Sequence, residues 1–338
     1  MIPVYMNRKA AGCRILFREV MNMSIWKNSI MGVVVGDALG CPVQFESRAE
    51  VARHPVTGMR GYGTFNLPAG SWTDDSSLTL ALLESIKRIG GIDCVDIMDN
   101  FVKWLDDGAF TPYGYAYDIG RGTINAIRKY KRDHKAHEAG SAAENNNGNG
   151  SLMRIMPAVL YCIEKNIPHD EAIDIIHRVG GLTHGHIRAK IACGLYYFMA
   201  EAIVSHGGSL SERLQKGLED GFAFYEAHLA DHEELAHYDR LRDLERFAGL
   251  GEDSIRSTGY VVDALEAAVW SLATTDSFED ALLKAVNLGD DTDTVGAIAG
   301  GLAGLYYQAM PEAWTEALQR REWIENLIEE TEHALHSV

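Results

Sequence analysis

Two short segments of this 338-residue chain each combine carboxylates with hydroxyl side chains: residues 71–76 (SWTDDS) and residues 290–294 (DDTDT). Acids at the predicted start of a helix stabilise its dipole and cap it, which explains either segment taken alone. Two such segments would repel each other if the fold brought them together, unless they shared cations. Their carboxylate and hydroxyl oxygens suit Mg²⁺ or Mn²⁺. Sequence spacing does not tell whether the two segments meet.

The second acidic segment also matches parts of two other patterns. If Asp291 took position 1 of a calcium-binding EF-hand loop, position 12 would be Leu302, where a bidentate Glu is needed, so this loop is excluded. Residues 291–295 (DTDTV) match the DxDx(T/V) pattern of aspartyl-phosphate phosphatases. That pattern must follow a buried β-strand, whereas residues 281–286 are predicted to be helical. A metal-dependent phosphatase stays open as an alternative.

Three turns carry further candidate binding groups. Residues 149–154 (NGSLMR) offer consecutive backbone amides and an arginine that suit a diphosphate, although a flexible loop explains them equally well. Residues 36–40 (GDALG) follow an apolar run, where glycine and aspartate often simply end a helix. His184 and His186 form a His-x-His pair with no third His or Cys nearby, so we predict a structural role rather than zinc binding.

The spacing of apolar residues predicts helices along most of the chain. Apolar residues recur at helical spacing within residues 78–89, 187–199 and 261–272, and no proline lies between Pro168 and Pro311. Alternation with period two, which would indicate strands, is rare. We therefore predict a single compact all-α domain.

Polar and small residues punctuate these predicted helices. Ser277 and Asp280 resemble a capping box that opens one helix, and residues 132–150 are rich enough in turn formers to predict an exposed loop. Glycines at positions 296, 300 and 304 recur every fourth residue after the second acidic segment. Their spacing predicts a helix that approaches neighbouring backbones closely while holding the acids at its end.

Composition narrows the possible partners. The formal net charge is −17, from 31 Lys+Arg and 48 Asp+Glu, which disfavours binding to nucleic acids or anionic membranes. Five widely spaced cysteines without a CxxC pair suit a reducing, cytoplasmic location. The longest small-apolar run, residues 295–310, is too short and glycine-rich to span a membrane. Residues 1–22 lack a signal-peptide pattern, so we predict a flexible leader or a mis-assigned start before a domain at residues 23–338.

Five segments, taken in order, resemble the ADP-ribosylglycohydrolase family: residues 36–40, 73–76, 149–154, 183–184 and 289–296. The resemblance runs from about Trp26 to Tyr307. It implies an all-α fold with a dinuclear centre of two Mg²⁺ ions, or Mn²⁺, and the removal of ADP-ribose from modified side chains such as arginine or serine.

The same resemblance assigns roles to individual positions. It implies metal binding by a set of acids and threonines from both clusters, namely Thr73, Asp74, Asp75, Asp291, Asp293 and Thr294. It implies that a loop holds the diphosphate, through Asn149, Gly150, Ser151, Met153 and Arg154. His184 would border the ribose, and Tyr260 would stack on adenine, although plain core packing explains a tyrosine there as well. Asp118 would face the guanidinium of an arginine acceptor.

One position departs from the family pattern. Many members have a Glu eight residues after the glycine of the Gly-Asp motif, and here that residue is Gln44. A neutral amide cannot act as a base, so Glu46 from a shifted loop, or a metal-bound acid such as Asp74 beside Asp75, would take the proton.

Together these observations predict a Mg²⁺-dependent hydrolase that cleaves the glycosidic bond between ADP-ribose and an acceptor. The expected substrate is a protein ADP-ribosylated on arginine, or a small ADP-ribosyl compound, and the product is free ADP-ribose. Because Gln44 replaces the acid, a regulator that binds ADP-ribose without turnover remains an alternative.

Overall fold

The structure is a computed structural model that describes residues 24–230 and 232–337. These residues form sixteen α-helices, five short 3₁₀ segments and no strand. In chain order the helices are α1 (Ile25–Gly40), α2 (Arg48–Val51), α3 (Asp74–Ile89), α4 (Cys94–Asp107), α5 (Arg121–Asp133), α6 (Met156–Glu164), α7 (His169–Gly181), α8 (Ile187–Ser205), α9 (Leu210–His228), α10 (Glu233–Ala236), α11 (Leu244–Ala248), α12 (Val261–Ala273), α13 (Phe278–Val286), α14 (Thr292–Tyr307), α15 (Glu312–Ala317) and α16 (Arg321–His336).

The predicted all-α class is therefore confirmed. The proposed leader at residues 1–22 lies outside the described residues. Within the described residues, no helix is both long and apolar enough to cross a membrane. The predicted cap at Ser277 is also present, since its hydroxyl accepts the backbone N–H of Asp280 at 3.0 Å.

Helices α1 and α14 form an antiparallel pair at the centre of the fold, and both are almost entirely buried. Glycines line their contact so tightly that a Cβ on Gly32 would lie 2.1 Å from the Gly300 carbonyl oxygen. A Cβ on Gly36 would lie 2.0 Å from the carbonyl oxygen of Gly296. The predicted close approach of the glycine stripe is thus made with α1. It places the end of α1 beside the start of α14.

A second contact brings α3 to the same end of the pair. The N-cap residue of α3, Thr73, has no side-chain capping bond of its own. Instead, the Asp37 carboxylate on α1 accepts the backbone N–H groups of Thr73 at 3.0 Å and Ser76 at 2.9 Å. It also accepts the Ser76 hydroxyl at 2.6 Å. One helix therefore caps another, which satisfies backbone donors that the first turn of α3 leaves unpaired.

Candidate active site

The two acidic segments meet where α1 ends and α3 and α14 begin. The Thr73 hydroxyl lies 3.2 Å from Asp293 Oδ2, although the two residues are 220 positions apart in the sequence. The Thr294 hydroxyl lies 3.5 Å from Asp75 Oδ2. The question that sequence spacing left open is therefore answered, because the fold joins the two segments in one acid cluster.

The carboxylates of this cluster oppose one another's ionisation. Burial, followed by the charges of Asp118 and Asp75, raises the pKa of Asp74 well above its usual value. Burial and then the neighbouring carboxylates also raise the pKa values of Asp75 and Asp293 strongly. A carboxylate out of water and beside like charges is more stable when protonated. In its ionised form the cluster therefore holds negative charges that repel one another.

Asp37 contacts the start of α3, next to the acids of the cluster. Burial raises its pKa to about 6, although the bonds from Ser76 and Thr73 oppose this rise. Its Oδ1 also lies 3.0 Å from the Thr73 hydroxyl, which faces the acids. Sequence reasoning took residues 36–40 for a helix end and for one segment of the family resemblance, and it gave Asp37 no role of its own. It missed Asp37 as the cap that fixes the start of α3, because that role depends on packing between helices.

Gln44 joins two carboxylates at one edge of the cluster. Its Nε2 donates to Asp118 Oδ2 at 2.9 Å and lies 3.5 Å from Asp291 Oδ1. Asp118 has a left-handed backbone, with φ of +53°. Burial raises the pKa values of Asp118 and Asp291, and the bonds from Gln44 partly offset both rises. The Gln44 amide thus contacts two carboxylates, whereas a glutamate at this position would have added another negative charge.

Glu46 is joined to the second acidic segment through its backbone. Its carbonyl accepts the Asp290 N–H at 2.7 Å, and the neighbouring Phe45 N–H donates to the Asp290 carbonyl at 2.7 Å. The structure assigns the Glu46 carboxylate no bond to the described members of the acid cluster. Its part in proton transfer therefore stays a prediction.

The loop at residues 149–154 reaches the cluster through its first residue. Asn149 Nδ2 donates to Asp291 Oδ2 at 2.6 Å, and the Asn149 backbone N–H donates to the Gly259 carbonyl at 3.0 Å. Met153 and Ser151 are buried behind this edge, where Ser151 Oγ lies 3.7 Å from Cys193 Sγ. Asn149 thus contacts one oxygen of the Asp291 carboxylate, and Gln44 lies near the other.

The Arg154 side chain points into the fold rather than onto the surface of this loop. Its guanidinium is fully buried, donates to Thr183 Oγ1 at 2.8 Å and lies over the Phe101 ring at 4.7 Å. Burial lowers its pKa to about 10, so it remains charged at neutral pH. The resemblance implied that Arg154 holds a diphosphate with the rest of its loop. In the structure its side chain contacts Thr183 within the fold, and a part in holding the diphosphate stays a prediction.

His184 is enclosed by glycines beside this loop. Its Nδ1 lies 2.8 Å from Thr183 Oγ1, and burial lowers its pKa to about 3, so the ring is neutral. A Cβ on Gly122 would lie 2.7 Å from His184 Nε2, and one on Gly150 would lie 2.8 Å from its Cε1. Only glycines at these positions leave room for the ring. The structural role of the His-x-His pair stays a prediction.

Tyr260 is half-buried at the N-terminus of α12, where it packs against the edge of the hydrophobic core, so its stacking on adenine stays a prediction. Its hydroxyl lies 3.2 Å from Arg188 Nη1, and Arg188 binds both oxygens of Glu234, at 2.7 and 3.1 Å. Arg188 also lines an open cavity of about 530 Å³ with Ala143, Glu144 and Asn145. Nothing in the sequence distinguished Arg188 from other arginines, because its role depends on this tertiary contact.

The donor set of the acid cluster fits a hard cation. Among the described residues, no three His, Cys, Asp or Glu side chains converge in a preformed metal site. However, Asp75 Oδ1 and Asp293 Oδ1 are both buried without any hydrogen-bond partner. Unpaired buried carboxylate oxygens are unfavourable unless a positive charge compensates them. The acids and threonines of the two segments offer carboxylate and hydroxyl oxygens, which suit Mg²⁺ or Mn²⁺.

The structure contradicts the phosphatase alternative. That chemistry needs a buried strand directly before Asp291, and the residues before it instead form helix α13 and a turn. No strand occurs anywhere in the described part of the chain. The match of residues 291–295 to the phosphatase pattern is therefore coincidental.

Comparisons with known proteins point to one family. A family model described as ADP-ribosylglycohydrolase matches residues 25–337. The chain is 31% identical to ADP-ribosylarginine hydrolase Tri1 of Serratia proteamaculans (strain 568), over 93% of this chain and 81% of that protein. It is 29% identical to the ADP-ribosyl-(dinitrogen reductase) glycohydrolase of Rhodospirillum rubrum, over 87% and 90% of the two chains.

A solved structure supports the same relationship. It is described as an ADP-ribosylglycohydrolase-related protein complex, and it matches with a TM-score of 0.73 at 31% identity. The match covers 92% of this chain and 98% of that one.

Proposed function

Because the chain belongs to the ADP-ribosylglycohydrolase family, a family of glycosidic-bond hydrolases, we propose that it releases ADP-ribose from modified arginine side chains of proteins. One similar protein is named as a hydrolase of ADP-ribosylarginine, and another as a glycohydrolase of ADP-ribosylated dinitrogen reductase. Both names support this substrate class. The observation that carries the proposal is the meeting of the two acidic segments between helix ends, with Gln44, Asp118 and Asn149 around Asp291.

We further propose that the acid cluster binds two Mg²⁺ ions, or Mn²⁺. The residues that would hold them are acids and threonines from both segments, namely Thr73, Asp74, Asp75, Asp291, Asp293 and Thr294. When bound, such ions supply the positive charge that orients ribose hydroxyls and activates a water for attack at the anomeric carbon. The unpaired oxygens of Asp75 and Asp293 support this assignment.

We propose a direction for the substrate from the residues around the cluster. Asn149 lies beside one oxygen of Asp291, on the side that leads to His184 and Tyr260, so this side receives the diphosphate and adenosine. Gly150 lets the loop approach the His184 ring. The scissile bond then lies over the acids. The arginine acceptor then leaves past Gln44 and Asp118.

Asp74 is our candidate for the residue that holds the proton of the attacking water. It is buried, its pKa is raised, and the described structure gives its carboxylate no hydrogen-bond donor. Gln44 has no acid or base capacity, so its role is to hold Asp118 and Asp291 in place. Once ionised, a carboxylate with a raised pKa binds a proton more tightly than an ordinary one. The cytoplasmic location stays a prediction from cysteine usage, and the described cysteines are free.

The experiment that tests this function compares two acceptors. An arginine-ADP-ribosylated protein and a serine-ADP-ribosylated peptide are each incubated with the protein and Mg²⁺, and released ADP-ribose is quantified by chromatography. We expect release from the arginine substrate and none from the Asp291→Ala variant. Release from serine alone would contradict the arginine assignment. Binding of ADP-ribose without release from either substrate would favour the non-catalytic alternative, and Gln44→Glu would then test whether the missing acid is the reason.

A further inference from the structure

Aromatic side chains form a belt beside the acid cluster, which we call the aromatic rim: Phe45, Tyr62, Phe65, Tyr113, Tyr115 and Tyr117. Tyr62 belongs to it because, after burial, nearby groups that include Tyr62 raise the pKa of Tyr113. Neighbouring rings follow one another, with centroids 6.4 Å apart for Phe45 and Phe65 and 5.5 Å apart for Phe65 and Tyr117. The series continues from Tyr117 to Tyr115 at 5.9 Å and to Tyr113 at 6.2 Å. None of these rings has a role in the site as described above.

The rim is unusually exposed for aromatic side chains. Among the described residues, only five large hydrophobic side chains are clearly exposed, and three of them belong to the rim. Phe45 is 66% exposed, Tyr62 is 72% exposed and Tyr115 is 51% exposed. A concentration of exposed apolar surface at one place marks an interaction site more often than scattered single residues do.

Hydrogen bonds hold part of the rim in place. The Tyr117 hydroxyl donates to the Trp72 carbonyl, directly before Thr73, and the Tyr113 hydroxyl lies 2.6 Å from Ser71 Oγ. The loop that carries Tyr62 and Phe65 is tied down as well, since the Thr64 hydroxyl donates to the Gln44 carbonyl at 2.6 Å. Rings held in this way lose little conformational entropy when they bind a partner.

The position of the rim relative to the acids indicates which part of a substrate it meets. Phe45 directly follows Gln44, and Tyr117 directly precedes Asp118, so the rim continues from the Gln44 edge of the cluster. Asn149 contacts the other oxygen of Asp291, on the side that leads to Tyr260. If adenosine lies on the Asn149 side, the acceptor and the chain that carries it pass over the aromatic rim.

We infer that the aromatic rim docks the polypeptide segment that carries the modified arginine, with a preference for a segment rich in further cations. Guanidinium and ammonium groups bind to aromatic faces, and guanidinium groups also stack on them. Asp118, beside Tyr117, adds negative charge at the inner edge of the rim. The inference rests on the proposed function, since it concerns how that site selects a protein substrate.

The test compares a large and a small substrate. Rates of ADP-ribose release are measured as a function of concentration for an arginine-ADP-ribosylated protein and for free ADP-ribosyl-arginine. We expect Phe45→Ala and Tyr115→Ala each to raise KM for the protein substrate roughly fivefold to tenfold, with kcat unchanged. Both parameters for the small substrate should stay at the wild-type values, because that substrate does not reach the rim. Tyr115→Phe keeps the ring and should retain the wild-type KM for the protein.

The matched control is Ile89→Ala, which removes a side chain that is 47% exposed at the far end of α3 from the acids. It should change neither substrate, and thermal unfolding of each variant shows whether it is folded. An equal loss on both substrates would overturn the inference, because the rings would then act on the reacting groups. An unchanged KM for the protein would overturn it too. If the wild-type protein releases ADP-ribose from neither substrate, the proposed function fails first and the docking role fails with it.

Discussion

At the scale of single residues, the acid cluster holds more negative charge than its hydrogen bonds offset. Asp75 and Asp293 each keep one buried oxygen without a partner, and the pKa values of both are raised. Such an arrangement lowers the stability of the protein itself, and it is the arrangement expected where a ligand of opposite charge binds.

Removing one of these charges should therefore stabilise the metal-free protein. In EDTA, we expect Asp293→Asn to raise the free energy of unfolding by about 1–2 kcal/mol, while it abolishes ADP-ribose release. Asp96→Asn is the matched control, because Asp96 is a buried acid paired with Arg88 and with Ser85 Oγ at 2.6 Å. That variant should be less stable than the wild type. Urea unfolding measures both, and a destabilised Asp293→Asn protein would contradict the repulsion.

The glycines beside His184 leave no room for a larger side chain. A Cβ on Gly122 would lie 2.7 Å from both His184 Nε2 and Asn146 Oδ1, so Gly122→Ala must displace the ring or the loop. We expect this variant to lose roughly tenfold in kcat/KM or more. Two residues earlier, a Cβ on Gly120 would meet only Thr123 Oγ1, at 3.7 Å, so Gly120→Ala should remain active. Wild-type kinetics for Gly122→Ala would show that the His184 position does not matter.

At the scale of elements, the α1–α14 pair determines whether the acids meet. The contact joins backbone atoms of the two helices, so no side chain can rotate to make room for an added Cβ. A Cβ on Gly300 would lie 2.1 Å from the Gly32 carbonyl oxygen, and the helices would have to separate. This shift would carry the start of α14, with Asp293, away from Thr73.

We expect Gly300→Ala to lower the free energy of unfolding by about 1–3 kcal/mol and to reduce activity, although it lies two turns from the acids. Gly91→Ala is a control with similar chemistry, since its Cβ would meet only the Tyr161 hydroxyl, at 3.6 Å. Chemical unfolding and the release assay on both variants test this. A fully stable and active Gly300→Ala protein would contradict the close approach.

Another contact between elements should respond to pH. On α7, His177 Nε2 lies 2.8 Å from the Tyr225 hydroxyl on α9, and burial lowers the His177 pKa to about 4. The unfolded chain, with a pKa near 6.5, binds this proton more readily. The stability that His177 contributes is therefore complete above about pH 6.5 and is lost as the pH falls towards 4.

The difference in free energy of unfolding between the wild type and His177→Gln separates the pH effect of His177 from that of the acids. It should fall by about 1 kcal/mol per pH unit between pH 6 and pH 4, as measured by urea unfolding. A difference that does not change with pH would show that His177 titrates normally in the folded protein.

At the scale of the whole molecule, local patterns predicted the elements but not their assembly. Apolar spacing gave the all-α class, and residue types pointed to the two acidic segments. The contact between Thr73 and Asp293, 220 positions apart, depends on how α1, α3 and α14 pack. For the same reason the Asp37 cap and the Gln44 brace were not foreseen. The inward direction of Arg154 was also unexpected, because its motif describes the backbone of a loop and not the cavity beneath it.

The most direct test of the central claim is the rate of ADP-ribose release from an arginine-ADP-ribosylated protein as a function of Mg²⁺ concentration, after exhaustive dialysis against EDTA. The acid cluster predicts no release without the metal, a saturable recovery on adding Mg²⁺, and no recovery for Asp293→Asn. Full activity of the dialysed protein without added metal would contradict the claim that this cluster is a cation-dependent reactive centre.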